Sequence, residues 1–167
     1  FRRVLFRSIT EAGGKCIVSD LNTQAMMKAH DEYDATFIGT RDIMGVECDV
    51  FLPCALGGIL TPTSIQSLKC DIVCGLANNQ LSHESASKWL MAKGITYVPD
   101  YVANAGGIMH ASTDIKCMEN STFDRSSDAI EMHIMRTTKN ILEISRRTNI
   151  GTNLVANDLA ESIFNAH

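Results

Sequence analysis

Three short segments carry the side chains best suited to chemistry. GLANNQ (75–80) brings the carboxamides of Asn78 and Asn79 together with that of Gln80. PDYVANAGG (99–107) holds Asn104 just before the small-residue start of a helical stretch, where exposed N–H groups can meet an anion. PCALGG (53–58) offers Cys54, Ala55 and Leu56 followed by two glycines, a stretch whose backbone a flat ligand can approach closely. A carboxamide carries a donor and an acceptor on one plane, so amides at a binding mouth can fix which face of a carboxamide-bearing ring is presented. Each segment alone also reads as a turn, because Gly, Pro and Asn are turn formers. All three fall directly after an apolar run, and three coincidences of that kind are harder to read as turns.

The elements that must position these segments follow from the apolar pattern. Gly13-Gly14 ends a helix. Short buried-strand patterns cover 16–18, 35–38, 49–52, 71–76 and 95–98. Helical stretches lie between them. One covers 23–32 with Asn22 as its cap, one covers 61–68 with Pro62 in its first turn, and one covers 82–92 with Ser82 as its cap and Gly94 beyond its end. From Gly107 onward the pattern is helical, with Ile130, Ile134, Ile141 and Leu142 on one face of a long helix and a last helix over 155–164. Strands without alternation, separated by helices, imply an α/β fold with a mostly parallel sheet covered by helices on both faces, followed by a helical C-terminal extension. Ligands of such sheets bind at the carboxyl ends of the strands, where the three segments fall.

Asp20 closes the first of these strands. In a dinucleotide-binding, Rossmann-type fold an acidic residue there accepts hydrogen bonds from both adenosine ribose hydroxyls, and its charge repels the 2′-phosphate of NADP, favouring NAD. On its own an Asp at a strand end reads equally as a turn residue. The Gly-rich phosphate loop expected about 20 residues earlier is not present, so the first strand and that loop are expected to be missing from the chain. Residues 1–8, FRRVLFRS, read either as a helix remnant with Leu5 and Ile9 on one face or as a non-native join. Residues 9–167 read as a partial dinucleotide-binding domain.

The 167 residues are 45% hydrophobic, enough for one domain with a sizeable core, and the net charge of −4 argues against a nucleic-acid partner. No apolar run reaches the roughly 18 residues a membrane span requires. Neither the six cysteines nor the five histidines show metal-ligand spacing, so no metal is expected. The cysteines read as buried free thiols in a reducing cytoplasm.

The runs GVECDVFLPCALGGIL (45–60), LANNQL (76–81) and PDYVANAGGI (99–108), in that order, are similar to the glutamate/leucine/phenylalanine/valine dehydrogenase family, nearest its leucine-type branch. The similarity extends from about Ile9 through RRTNIGTNLVANDLAE (146–161). The resemblance implies a two-domain, homo-oligomeric subunit that deaminates an L-amino acid oxidatively and reversibly to a 2-oxo acid and ammonia. Its N-terminal domain would carry the catalytic Lys and Asp, so no catalytic residue is assigned here and the chain by itself is expected to be inactive. Carried over, Asp20 would hold the adenosine ribose. Cys54, Ala55 and Leu56 would line the cofactor groove, Asn78 would face the nicotinamide ribose or carboxamide with Asn79 close by, and Asn104 would contact the nicotinamide and the substrate end of the cleft. Ile108 and Ala111 would line the substrate pocket. Glutamate-specific relatives tend to carry Ser at the position of Ala111 and leucine-type ones Val, so Ala111 favours an apolar substrate and leaves phenylalanine open. His110 departs from the Asn expected of leucine-type enzymes and reads as a solvent-facing helix residue. The rival readings are a non-catalytic nucleotide-binding module and a functionless, aggregation-prone fragment.

Overall fold

The computed structural model describes residues 2–117 and 126–165. They fall into two compact units, one of residues 1–47 and 67–69, the other of residues 48–66 and 70–167.

The first unit contains α1 (Arg2–Glu11), β1 (Ile17–Val18), α2 (Thr23–Tyr33), β2 (Thr36–Phe37) and a 3-10 turn over Ile43–Gly45. α1 ends where Gly13 N donates to Thr10 O and Gly14 N to Ile9 O, both at 2.9 Å. Asn22 caps α2 as its position implies, its Oδ1 accepting Ala25 N at 3.1 Å. Phe6 of α1 stacks on Tyr33 of α2 with ring centroids 5.6 Å apart. β1 and β2 pair in parallel, Ile17 opposite Thr36 and Val18 opposite Phe37.

The second unit contains β3 (Val50–Phe51), α3 (Pro62–Ser67, its last residue grouped with the first unit), β4 (Ile72–Val73), α4 (Ala86–Ala92), β5 (Thr96–Tyr97), α5 (Asp100–Ala103), α6 (Gly106–Cys117), α7 (Ser127–Thr148) and α8 (Thr152–Phe164). Its sheet runs β3-β4-β5, both pairings parallel, with Val50, Ile72 and Thr96 in one register row and Phe51, Val73 and Tyr97 in the next. Phe51, Leu60, Ile65, Val73, Leu90 and Ile95 are buried. Each such side chain removed from water contributes about 1.5–3 kcal/mol. Lys93 Nζ closes the end of α3 by donating to Ile65 O and Gln66 O at 3.0 and 2.5 Å. Val102, Ile141, Val155 and Ala156 form a second cluster that ties α5, α7 and α8 together. This alternation of parallel strands and helices, ending in a helical extension, is the α/β arrangement expected.

Several details differ from expectation. The ladders engage only two residues per strand, fewer than the apolar runs suggested. Ser82 does not cap α4. Its N–H and Oγ both reach Leu60 O, at 3.1 and 3.0 Å, and the helix begins at Ala86. Cys16, Cys48, Cys54, Cys70 and Cys74 stand outside any disulfide and are half-buried rather than buried. The side chain of Cys117 lies outside the described residues.

Candidate functional site at the carboxyl ends of three strands

The turns after β3 and β4 are held together by backbone contacts that only small residues permit. A Cβ on Gly75 would sit 2.2 Å from Pro53 O, and Ala77 N donates to Pro53 O at 2.9 Å. A Cβ on Gly57 would sit 2.6 Å from Asn78 O. Gly58 N donates to Asn79 O at 2.7 Å. The segment after β3 therefore lies directly on the Asn78-Asn79 turn. Glycine at 57 and 75 is required by this close approach.

Asn104 Nδ2 donates to Asn78 Oδ1 at 2.7 Å, linking the mouth of β5 to that of β4. It also lies 3.5 Å from Leu76 O. Asn78 is exposed and Asn104 half-buried. A primary amide has two donor hydrogens and one carbonyl oxygen. The pair thus retains the Asn104 carbonyl as an acceptor and the Asn78 NH2 as a donor. That donor set matches the carboxamide of a nicotinamide, which needs one of each.

Asn79 has left-handed backbone, φ 53°, which Asn tolerates better than other residues with a Cβ. Its N–H donates to Asp100 Oδ2 at 2.8 Å, and the other Asp100 oxygen accepts the Tyr97 hydroxyl at 2.8 Å. Asp100 and Tyr97 are 7% and 4% exposed. Burial pushes the Tyr97 hydroxyl far above the usual tyrosine range, and the hydrogen bond and charge of Asp100 add to the effect. Tyr101 donates to Asn153 O and Asn157 Oδ1 at 3.0 and 2.8 Å. Its hydroxyl is pushed up to about 12, first by burial and then by the charges of Asp100 and Glu84.

Of the other residues singled out from sequence, Cys54 is half-buried and Ala55 and Leu56 are exposed, Leu56 by 74%. Ile108 is 73% exposed on α6, and Ala111, also exposed, lies three residues on along the same helix face. His110 is exposed, in line with its reading as a surface helix residue. Gln80 is not part of the mouth. It is fully buried, and its Nε2 donates to Ala77 O at 2.9 Å, bracing the turn from inside. Asp20 belongs to the other unit. It is half-buried just past β1, and its Oδ1 accepts Asn22 N at 3.0 Å. Asp100 and Tyr97 were not singled out from sequence. The available signal was a Tyr inside a strand pattern, whose hydroxyl needs a partner, with an Asp three residues on. Among the described residues no cluster of His, Cys, Asp or Glu is arranged to hold a metal, and no helix is long and apolar enough to cross a membrane.

The chain is 38% identical over 157 residues to leucine dehydrogenase of Thermoactinomyces intermedius, covering 94% of this chain and 42% of that protein. It is 36% identical over 159 residues to L-tryptophan dehydrogenase of Nostoc punctiforme, covering 94% of this chain and 44% of that protein. The crystal structure of an L-tryptophan dehydrogenase from Nostoc punctiforme superposes with a TM-score of 0.86 at 34% identity, over 98% of this chain and 49% of that one. The chain thus spans less than half the length of the relatives it matches. Its fold is the Rossmann-type α/β arrangement of that dehydrogenase domain. The family profile described as glutamate/leucine/phenylalanine/valine dehydrogenase matches residues 10–161, and the chain belongs to that family.

Proposed function

We propose that this chain is the NAD-binding part of an amino-acid dehydrogenase acting on an apolar L-amino acid of the leucine, valine or phenylalanine type. The observation that carries this reading is the Asn78–Asn104 amide pair, whose remaining donor and acceptor are complementary to a nicotinamide carboxamide. The chemistry a bound nicotinamide supplies is acceptance of the substrate's α-hydrogen as hydride, in the reversible deamination to a 2-oxo acid and ammonia.

The residues of this chain bind and orient. Asn78 and Asn104 select the ring face by engaging the carboxamide, with Asn79 beside them. Cys54, Ala55 and Leu56 line the groove through backbone and apolar surface. Ile108 and Ala111 border the substrate side chain, and the absence of a hydroxyl at Ala111 favours an apolar one. In the first unit, Asp20 is the acceptor for the adenosine ribose hydroxyls and disfavours a 2′-phosphate. Relatives named for leucine and tryptophan support an amino-acid substrate. Proton transfer is assigned to no residue of this chain, and turnover by the chain alone is not expected. The whole protein is read as a cytoplasmic homo-oligomer.

Fluorescence titration of the chain with NADH and NADPH tests the reading. Saturable NADH binding, at least about tenfold tighter than NADPH, is the expected result, a gap of about 1.4 kcal/mol. Failure to bind either nucleotide would leave only a family fold without the cofactor role.

A further inference from the structure

The Asn78-Asn79 turn is gripped from two sides. On one side the Asn79 carbonyl accepts Gly58 N at 2.7 Å, and Gly57 packs so closely on the Asn78 carbonyl that a Cβ would come within 2.6 Å of it. On the other side the Asn79 N–H donates to Asp100 Oδ2 at 2.8 Å. Asp100 stands 21 residues away in the first turn of α5, and its second oxygen is taken by the hydroxyl of Tyr97 at 2.8 Å. Tyr97 lies in β5, so the carboxylate is tied to the sheet, and at 7% exposure it has little room to choose another partner. A hydrogen bond from a backbone N–H to a buried carboxylate is among the stronger neutral-to-charged kind. Asn79, whose N–H the carboxylate binds, has a left-handed backbone, φ 53°, directly after Asn78.

We propose that Asp100 is the positioning residue of this site. By holding the Asn79 peptide, it fixes Asn78 where its Oδ1 receives Asn104, and so presents the amide pair to the cofactor. The proposal deepens the nicotinamide reading above and rests on it for its functional half. Asp100 itself touches no cofactor. It acts through the turn, and Tyr97 acts through Asp100.

The test combines amide hydrogen exchange by NMR with NADH titration on the full chain. In the unmutated protein the Asn79 amide, on an exposed residue, is expected to exchange at least tenfold slower than a free loop amide. Free-loop exchange there would overturn the clamp with no variant needed. Tyr97→Phe is the reference background, because it leaves no buried hydroxyl orphaned when the carboxylate is removed. Adding Asp100→Ala should speed Asn79 exchange at least tenfold and weaken NADH binding about fivefold or more, while amides of α7 and α8 keep their protection. Asp100→Asn in the same background keeps one acceptor oxygen and should restore part of both. Unchanged Asn79 exchange, or unchanged NADH affinity with faster exchange, would overturn the positioning role. If the unmutated chain binds no NADH, the cofactor reading falls, and the exchange rates still decide whether Asp100 holds the turn.

Discussion

Asn104 Nδ2 and Asn78 Oδ1 lie 2.7 Å apart across 26 residues of sequence, joining the mouths of β4 and β5 by two side chains of the same kind. Replacing one by an acid separates the two halves of its function. Asn78→Asp keeps the oxygen that accepts Asn104 but deletes the NH2 offered to the ligand. One neutral hydrogen bond is worth about 0.5–1.5 kcal/mol, so NADH affinity should fall about two- to tenfold. Because Asn78 is exposed, the thermal midpoint should hardly move. Calorimetric titration beside a thermal scan reads both. A large loss of stability with intact affinity would mean that the amide pair is structural.

Gly75 makes a sharper demand. Its missing side chain is the space occupied by Pro53 O, 2.2 Å from where a Cβ would stand, and backbone cannot swing aside. Gly75→Ala should cost about 3 kcal/mol or more in urea unfolding, at the upper end of overpacking costs. Gly107 provides the control. It lies in α6 with nothing within 4 Å of an added Cβ, so Gly107→Ala should be neutral or stabilising by up to about 1 kcal/mol.

The two tyrosines near Asp100 give a pH dependence with a definite sign. Both hydroxyls are raised above the ordinary tyrosine value by burial first and by Asp100 second, Tyr101 to about 12. A raised folded-state value means the folded protein holds these protons more tightly than the unfolded chain. Their contribution is therefore complete below about pH 10, where neither state ionises. It is lost as pH rises towards and through the folded values. Stability should fall above about pH 10, and ultraviolet titration should show both phenols un-ionised at about pH 10.5 until denaturant is added. Tyr97→Phe should flatten part of that alkaline decline.

Ile141, 2% exposed between α5 and α8, is the centre of the helical extension's core. Ile141→Ala should cost about 2–5 kcal/mol by chemical denaturation. Met135→Ala on the same helix, at 58% exposure, should cost under about 0.5 kcal/mol.

Much of this was legible in the sequence because it is local. The apolar runs marked the five described strands, Asn22 announced its own cap, and the segments bearing Asn78 and Asn104 do follow β4 and β5. What was not legible depends on which way the folded backbone turns each side chain. Gln80 looked like a third amide at the mouth, yet it turns inward to Ala77 O. Ser82 had the residue type of a cap, but its hydroxyl is used by Leu60 O, 22 residues away. Asp100 has the same character. Tyr97 is only three residues away, but the backbone of Asn79, 21 residues away, meets Asp100 only in the folded chain, and no periodicity encodes that meeting.

The central claim is that the Asn78–Asn104 pair reads a nicotinamide carboxamide. The most direct measurement compares the affinities of NADH and ADP-ribose, which lacks the nicotinamide, for the chain and for Asn104→Leu. The account predicts that the substitution weakens NADH about two- to tenfold, the worth of one neutral hydrogen bond, and leaves ADP-ribose unchanged. Equal losses for both ligands, or none for either, would contradict it.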